Sequence, residues 1–322
     1  MKKLIALLCG ITMTTDPKMI KRRPPEEPEY ASTDMHVLRL SRMKPHHARK
    51  LLTRDPNHYP RFLYKYVGVD KEQEHLRDIL IDCDFYLNSP NDFNDPFDTS
   101  AKFVCEGPIS KIRQRFMQIV KRRTSGLSRA EMEAQVTQMM VKRSESDEWL
   151  IRACVDNTKN SGVFSMTSRP RNILMWSHYG SKHQGMVLQF DISKDPQSLL
   201  YALKNHYSND YPTWNYINDL DKEMFNAVML RKSKKWKYEK EWRILRIGGA
   251  HTYQPFKPSS LTGIIFGCKS PNSFKYRIQK LLKEREAKYK QTIKVYQCIQ
   301  SDAEYSVSIA RYTNFMNENF KI

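Results

Sequence analysis

The chain has 322 residues, of which 40% are hydrophobic, so it is long enough to bury a sizeable core. Its 54 Lys and Arg residues against 35 Asp and Glu give a formal net charge of +19. An excess of this size attracts polyanions such as RNA, DNA or nucleotides. The 6 cysteines form no CxxC pair. This spacing argues against a structural metal and is typical of reduced thiols in a cytoplasmic protein.

Residues 1–60 are expected to be an N-terminal extension, largely disordered, because Lys21–Pro28 is rich in proline and charge. The first 13 residues have a basic start and a short apolar run. That run is at the short end for an export signal and has no small-x-small cleavage site after it, so we expect a cytoplasmic protein, with export as the alternative. No segment approaches the roughly twenty apolar residues of a membrane span.

The domain is expected to cover residues 61–300. Its first half predicts two strands, a short helix, a turn-rich loop and a helical insertion at about 109–158, with Gly126 and the capping box Ser128-x-x-Glu131 marking a break between helices. In chain order, these two strands, the short helix and the loop are a strand at Phe62–Val67, a helix at Lys71–Asp82, a strand at Phe85–Leu87 and a loop at Asn88–Asp98.

Strands and helices alternate in the second half. The predicted strands are Val163–Thr167, Met186–Phe190, Trp242–Ile247, Gly263–Phe266 and Ile293–Gln297. The predicted helices are Asn172–Tyr179, Pro196–Asn205, Leu220–Arg231 and Ser273–Arg285. Strands concentrated after a helical insertion favour an α+β domain. Residues 301–322 are expected to be a C-terminal extension.

The segment Trp236-Lys-Tyr-Glu-Lys-Glu241-Trp-Arg243 places a carboxylate at the start of a predicted strand, among aromatic rings and cations. A Glu held partly out of water can stabilise a developing positive charge or accept a proton. The structural alternative is an ion pair of Glu241 with Arg243 or Lys240. The surrounding basic run, from Arg231 to Arg246, is either a solvated face or a surface for phosphates and bases.

Two further segments are candidates for ligand contacts. Met175-Trp-Ser-His-Tyr179 predicts either a core helix or a surface that stacks on a planar ring, with His178 or Tyr179 as the polar contact. The loop that contains Asn94 and Asp95 is either a rigid turn or the wall of a pocket. The acid spacing in this loop does not match a calcium site. There is no GxGxxG, P-loop or GxSxG motif.

Taken in chain order, five segments resemble a known family. They are Leu63-Tyr-Lys-Tyr66, Ser89-Pro-x-x-Phe-Asn-Asp-Pro-Phe-Asp98, Phe164-Ser165, Met175-Trp-Ser-His-Tyr179 with His183-x-Gly185, and Tyr238-Glu-x-Glu241-Trp-Arg243. Together they resemble the bacterial domain of unknown function 2971 (DUF2971), from about residue 62 to 300. That family is distantly similar to the ADP-ribosyltransferase superfamily.

The resemblance implies a bent, split mixed sheet that holds NAD as substrate. It implies three active-site positions in chain order. The strand of Tyr64, Lys65 and Tyr66 takes the first, where the superfamily usually has Arg or His, and Ser165 or Tyr179 takes the middle one. Glu241 takes the last and is the catalytic residue. The resemblance further implies that Trp176 or Tyr179 stacks on nicotinamide and that Lys65 and Arg243 contact the pyrophosphate, with Asn94 and Asp95 in the cleft wall.

We therefore expect an NAD-consuming ADP-ribosyltransferase or NAD glycohydrolase, with a role as a bacterial toxin or in phage defence. Glu241 would stabilise the oxocarbenium-like state as the nicotinamide bond breaks. The alternatives are a non-catalytic basic module that binds nucleic acid and an inert scaffold on the same fold.

Overall fold

The computed structural model describes residues 60–69, 73–124, 126–199, 201–219 and 224–320. The expected N-terminal extension and its short apolar run therefore lie outside the described residues. In the described part of the chain, no helix is long and apolar enough to cross a membrane.

Helices and strands are both present, which confirms the α+β class. The strands, in chain order, are β1 (Phe62–Val67), β2 (Asp84–Leu87), β3 (Lys102–Val104), β4 (Gly162–Thr167), β5 (Met186–Asp191), β6 (Leu203–Lys204), β7 (His206–Ser208), β8 (Thr213–Asn215), β9 (Arg231–Ser233), β10 (Glu241–Arg246), β11 (Thr252–Pro255), β12 (Leu261–Phe266), β13 (Lys294–Gln300) and β14 (Val307–Arg311). The α-helices are α1 (Gln73–Arg77), α2 (Ile109–Arg123), α3 (Arg129–Val141), α4 (Arg143–Lys159), α5 (Ile173–Tyr179), α6 (Pro196–Leu199) and α7 (Asn272–Tyr289).

Eight strands form one mixed sheet in the order β14-β13-β12-β5-β1-β4-β10-β6. The pair β12–β13 is parallel, whereas β1 runs antiparallel to both β4 and β5. Strands β1 and β5 are joined along six residue pairs, but the register of β1 with β4 contains a single pair, Tyr64 with Thr167. The sheet is therefore weakly joined near its middle, between β1 and β4.

Alternation along the strands gives the sheet two faces with different cores. The first face carries Leu63, Phe164, Leu188 and Trp242, which pack into a large apolar cluster together with Phe274 and other residues of α7. The second face meets two clusters. Val163 and Leu245 pack with the insertion helices α2–α4, and Val187 and Ile265 pack with Trp176 of α5.

The insertion is helical as predicted, and the Ser128 capping box is formed by both of its hydrogen bonds. A second break, at Lys142, divides the region after Gly126 into two helices. The predicted helix at Pro196–Asn205 is wrong beyond Leu199, because β6 pairs with the edge of β10. Of the predicted helix at Leu220–Arg231, residues 220–223 lie outside the described residues, Phe225–Met229 form a π-helix, and Arg231 begins β9.

Residues 301–320, which we expected to be an extension, instead complete the domain. Strand β14 pairs with β13 at one edge of the main sheet. Phe315 is 1% exposed and belongs to the cluster on the first face. Tertiary pairing and burial, which a local sequence pattern does not report, hold this segment in place.

Candidate functional site: a basic cleft beside a buried charge network

The polar residues of β4 and β10 lie side by side on the second face of the sheet. Glu241 pairs across the strands with Thr167, and Arg243 pairs with Ser165. Apolar clusters adjoin this face at both ends, so the charged side chains lie in a buried environment.

Five side chains, Asp98, Lys232, Glu239, Glu241 and Arg243, form a buried charge network. All five are 8% exposed or less, and Arg243 is fully buried. Arg243 donates from Nε to Glu241 Oε1 and from Nη2 to Oε2, both at 2.9 Å, and from Nη2 to Asp98 Oδ2 at 2.6 Å. Lys232 Nζ lies 2.7 Å from Glu239 Oε2, 3.1 Å from Asp98 Oδ2 and 3.3 Å from Glu241 Oε2.

The network contains three carboxylates and two cations, and the pKa values of its two glutamates are shifted in opposite directions. Burial alone would raise the pKa of Glu241, but Arg243 and Lys232 outweigh it and lower that pKa to about 2. Burial raises the pKa of Glu239, and the nearby Glu241 charge adds to the increase, so Lys232 offsets it only in part. Of the two glutamates, Glu239 therefore takes a proton more readily.

Glu241 has no open side from which it could meet a ligand. Arg243 covers both of its carboxylate oxygens, and Asn205 Nδ2 donates to Oε2 at 2.7 Å. Its backbone N–H donates to the Tyr207 hydroxyl at 2.9 Å. These contacts are those of a structural ion pair, the alternative that the sequence left open for this residue.

A cleft of about 740 Å³ opens on the same face of the sheet, next to the weak β1–β4 junction. Its floor is formed by side chains of five strands, and its wall by the loop after β4 together with the segment before β10. The lining residues are Tyr64, Gln189, Ile265, Tyr296 and Ile309 of the floor, and Ser168, Arg169, Pro170, Arg171, Asn172, Tyr238 and Lys240 of the wall.

The cleft is rich in cations and rings. Arg169, Arg171 and Lys240 line it, and no Asp or Glu is among its lining residues. Three tyrosines supply aromatic surface, and the Tyr64 hydroxyl accepts a hydrogen bond from Gln189 Nε2 at 3.3 Å. Such a surface suits a ligand that combines negative charge with planar rings.

Buried residues hold the cleft wall from behind. The Tyr66 hydroxyl donates to the carbonyl of Arg169, and Trp176 Nε1 donates to the carbonyl of Pro170, both at 3.0 Å. Asn172 Nδ2 donates to the carbonyl of Tyr238 at 3.1 Å, which joins the two parts of the wall. Tyr66 and Trp176, both expected to contact ligand, therefore support the wall instead, and the fully buried Trp176 offers no face for stacking.

One short segment connects the cleft to the charge network. Tyr238 and Lys240 line the cleft, whereas Glu239 and Glu241, which alternate with them, enter the network. Lys240 has a φ of 46°, a left-handed conformation that a non-glycine residue adopts only when its surroundings impose it. The network thus fixes the backbone that carries two of the cleft residues.

The other predicted residues are distributed around this site. Tyr64 lies in the cleft, but Lys65 points to the opposite face, with its Nζ 4.9 Å from the centre of the Phe164 ring. His178 is exposed beside Trp236, and the Tyr179 hydroxyl donates to Glu239 Oε1 at 2.7 Å.

The loop of Asn94 and Asp95 makes its own turn, in which Asp95 Oδ1 accepts from the N–H of Phe97. Neither residue lines the cleft. Asp98, at the end of the same loop, reaches the network instead. In the described residues, no group of three or more His, Cys, Asp or Glu side chains is arranged to hold a metal ion.

Sequence reasoning missed most of the cleft. The clearest available signal was Arg169-Pro-Arg171, two cations around a proline directly after a predicted strand. Gln189 and Tyr296 carried no signal of this kind, because only the sheet topology brings β5 and β13 to the same floor.

The fold and site define an α+β protein with a mixed sheet, a buried ionic network and a basic cleft. The model of the family described as "Protein of unknown function (DUF2971)" matches residues 175–244, which confirms the resemblance over that region. The matched stretch contains four of the five network residues, all except Asp98. No curated protein and no solved structure matches the chain.

Proposed function

We propose that the protein binds a nucleotide in the cleft, and that NAD is the ligand to test first. The observation that carries the proposal is a nucleotide-sized cleft with three cations and three tyrosines on its surface and no carboxylate among its lining residues. Arg169, Arg171 and Lys240 would neutralise a pyrophosphate, for which guanidinium groups are well matched. The tyrosines would contact the base or the nicotinamide ring.

NAD is chosen because the resemblance to the ADP-ribosyltransferase superfamily implies it. The weakly joined β1–β4 pair beside the cleft is consistent with the bent, split sheet of that superfamily. In this proposal the protein consumes NAD as a transferase or glycohydrolase. Glu241 then acts through the backbone of Tyr238 and Lys240, which it helps to position, since Arg243 and Asn205 occupy its carboxylate.

The binding test compares cations inside and outside the cleft. Arg171→Gln is expected to weaken NAD and ADP-ribose binding by about tenfold or more, the loss of one charge-assisted hydrogen bond. Lys111→Gln removes an exposed cation of α2, remote in sequence from every lining residue, and is expected to leave the dissociation constant unchanged. Equal affinities of wild type and Arg171→Gln in isothermal titration would refute the proposed site.

The reaction is tested separately by measuring nicotinamide release from NAD, with and without candidate acceptors. If NAD binds but no mixture releases nicotinamide, the protein is a nucleotide-binding protein and the proposal that it consumes NAD is wrong. If release occurs, Glu241→Gln is expected to reduce it, and Arg243→Lys is expected to do the same, because both disturb the network. An unchanged rate in both variants would show that the network does not serve the reaction.

Nucleic-acid binding is the second candidate, and one surface feature favours it. Lys234, Lys235 and Lys237 are exposed on the short 3₁₀ segment that ends beside the cleft, so they extend its positive charge. A nucleic-acid ligand predicts binding to RNA or DNA oligonucleotides that falls steeply as salt increases. Tight, length-dependent RNA binding without any NAD binding would favour this candidate.

A further inference from the structure

A second cavity lies near the ends of β12 and β13, and two cysteines, Cys268 and Cys298, line it. Its volume is about 550 Å³. Cys268 is half-buried at this cavity, and its Sγ lies 3.7 Å from Nδ1 of His183. His183 contacts Cys268 without lining the cavity, and neither residue lines the basic cleft, so chemistry at Cys268 does not depend on the proposed function.

The hydrogen bonds around His183 indicate which ring nitrogen carries the proton. The Ser177 hydroxyl donates to the carbonyl of Ile173 at 3.0 Å, and its oxygen lies 3.3 Å from His183 Nε2. Because the hydroxyl proton is already used, Ser177 accepts from Nε2–H. Nδ1 therefore carries the lone pair and faces Cys268 as a proton acceptor, which is the arrangement of nucleophile, base and orienting group in thiol catalysis.

The loop that carries His183 is under local strain. Ser181, Lys182 and His183 are three consecutive non-glycine residues with positive φ, at 45°, 55° and 69°. Such conformations cost free energy and persist where the surroundings enforce them, often at functional sites. The His183 carbonyl accepts from the N–H of Lys269, and a Cβ on Gly267 would lie 2.1 Å from the His183 oxygen. Glycine at this position thus lets the two loops approach closely.

Two more features point to a ligand in this cavity. Lys269, Lys275 and Arg311 line it, and no Asp or Glu is among its lining residues. The Oε1 atom of Gln297, another lining residue, is buried without a hydrogen-bond partner among the described residues. Burial, with help from Lys269, lowers the pKa of His183, which keeps the imidazole neutral and able to accept a proton.

We propose that Cys268 and His183 form a nucleophilic thiol–imidazole site that takes an acyl donor bearing a negative charge. The thiol proton moves to His183 Nδ1, and the sulfur forms a bond to the acyl carbon. The bond from that carbon to the leaving group breaks, and the leaving group departs with the electron pair and takes the proton from His183. The product is a thioester on Cys268, and Lys269, Lys275 and Arg311 hold the anionic part of the donor.

The first experiment measures alkylation of each cysteine of the full chain by iodoacetamide at neutral pH, with peptide mass spectrometry. Cys268 is expected to react fastest among the described cysteines, and His183→Gln is expected to slow it by about tenfold or more. His206→Gln, an exposed histidine on β7, is the matched control and is expected to leave the rate unchanged. If His183→Gln fails to fold, Ser177→Ala is used, since it removes only the group that orients the ring. A Cys268 rate that neither variant alters overturns the dyad.

The second experiment tests the acyl donor and its charge. Mono-nitrophenyl terephthalate, an anionic aryl ester, is expected to acylate Cys268 faster than the neutral nitrophenyl benzoate. Lys269→Gln is expected to reduce this preference. Alkylation that depends on His183 without any acyl adduct on Cys268 would overturn the acyl-transfer step. Equal rates for the two esters, unchanged by Lys269→Gln, would overturn the anionic substrate class.

Discussion

The charge network and the basic cleft share one short segment, whose alternate residues enter one or the other, yet the two differ in what their charges can do. In the network, each cation has carboxylate partners within 3.3 Å, and both are almost fully buried. In the cleft, Arg169, Arg171 and Lys240 have no carboxylate partner among the described residues that line it. Paired, buried charges specify a structure, whereas unpaired cations beside an open cavity are available to a ligand.

The difference also bears on how a catalytic residue is recognised. Glu241 has the strongly shifted pKa often found at active sites, but structural ion pairs shift pKa values as well. In this protein the geometry favours a structural ion pair over an active-site carboxylate, because Glu241 faces Arg243 and the cleft does not reach it. A carboxylate with a shifted pKa is therefore assigned as a catalytic residue only when it is also accessible to a ligand.

The largest expected effect is that of removing a cation from the network. Arg243→Met would leave Asp98 and Glu241 buried with a single shared cation, and should lower the free energy of unfolding by about 3–5 kcal/mol. Urea denaturation monitored by circular dichroism measures this change.

The control for this loss is an ion pair on the surface. Arg152 and Glu148 lie 2.9 Å apart on α4, but both side chains are at least 70% exposed. Arg152→Met is expected to change the unfolding free energy little, because water screens such a pair. Similar losses of unfolding free energy in Arg243→Met and Arg152→Met would show that the buried network contributes no more to stability than a surface ion pair.

The next effect is on acid stability. Because the folded-state pKa of Glu241 is lowered to about 2 from an ordinary value of 4.5, its contribution is complete above pH 4.5 and is lost as the pH falls toward 2. The contribution is about 3 kcal/mol for a shift of this size. Glu241→Gln should therefore flatten the acid limb of the plot of unfolding free energy against pH. An acid limb identical to that of wild type would mean that Glu241 is not held ionised by Arg243 and Lys232.

A smaller loss is expected for the neighbouring glutamate. The folded state raises the pKa of Glu239, so ionisation of this group opposes folding, and its contribution to stability grows as the pH falls. Glu239→Gln should cost less stability at neutral pH than Glu241→Gln, since the amide keeps the size of the side chain and removes a disfavoured charge. A larger cost for Glu239→Gln in parallel urea titrations would reverse the assignment of the two carboxylates.

Much of the sheet was predictable because its strands carry long apolar runs. The strands at Phe62, Val163 and Met186 were found within a residue or two, as was the helix at Asn172, where Asn172 caps the first turn. Strands β6, β7 and β9 were not predicted. They have two or three residues each and exist because they pair with other parts of the fold, which no local pattern reports.

The candidate site was predictable only where several of its residues are contiguous in the sequence. The segment from Tyr238 to Arg243 was recognised as chemically unusual. The 3₁₀ turn that ends at Glu239 and the left-handed Lys240, which no sequence pattern predicted, send its tyrosine and lysine to the cleft and its glutamates to the network. Lys65 illustrates the same limit, since it lies between Tyr64 and Tyr66 and faces the other side of the sheet. Which face a strand residue takes depends on where the core lies.

The smallest expected effect sharpens the comparison at this position. Lys65→Gln removes a cation from β1 that lies one residue from Tyr64 of the cleft floor but on the opposite face of the sheet. It should therefore leave the dissociation constant for NAD within about twofold of wild type, in contrast to Arg171→Gln, which removes a cation that lines the cleft. Isothermal titration of both variants at the same ionic strength makes the comparison. If Lys65→Gln weakened NAD binding as much as Arg171→Gln did, the ligand would be recognised by overall charge and not by the cleft.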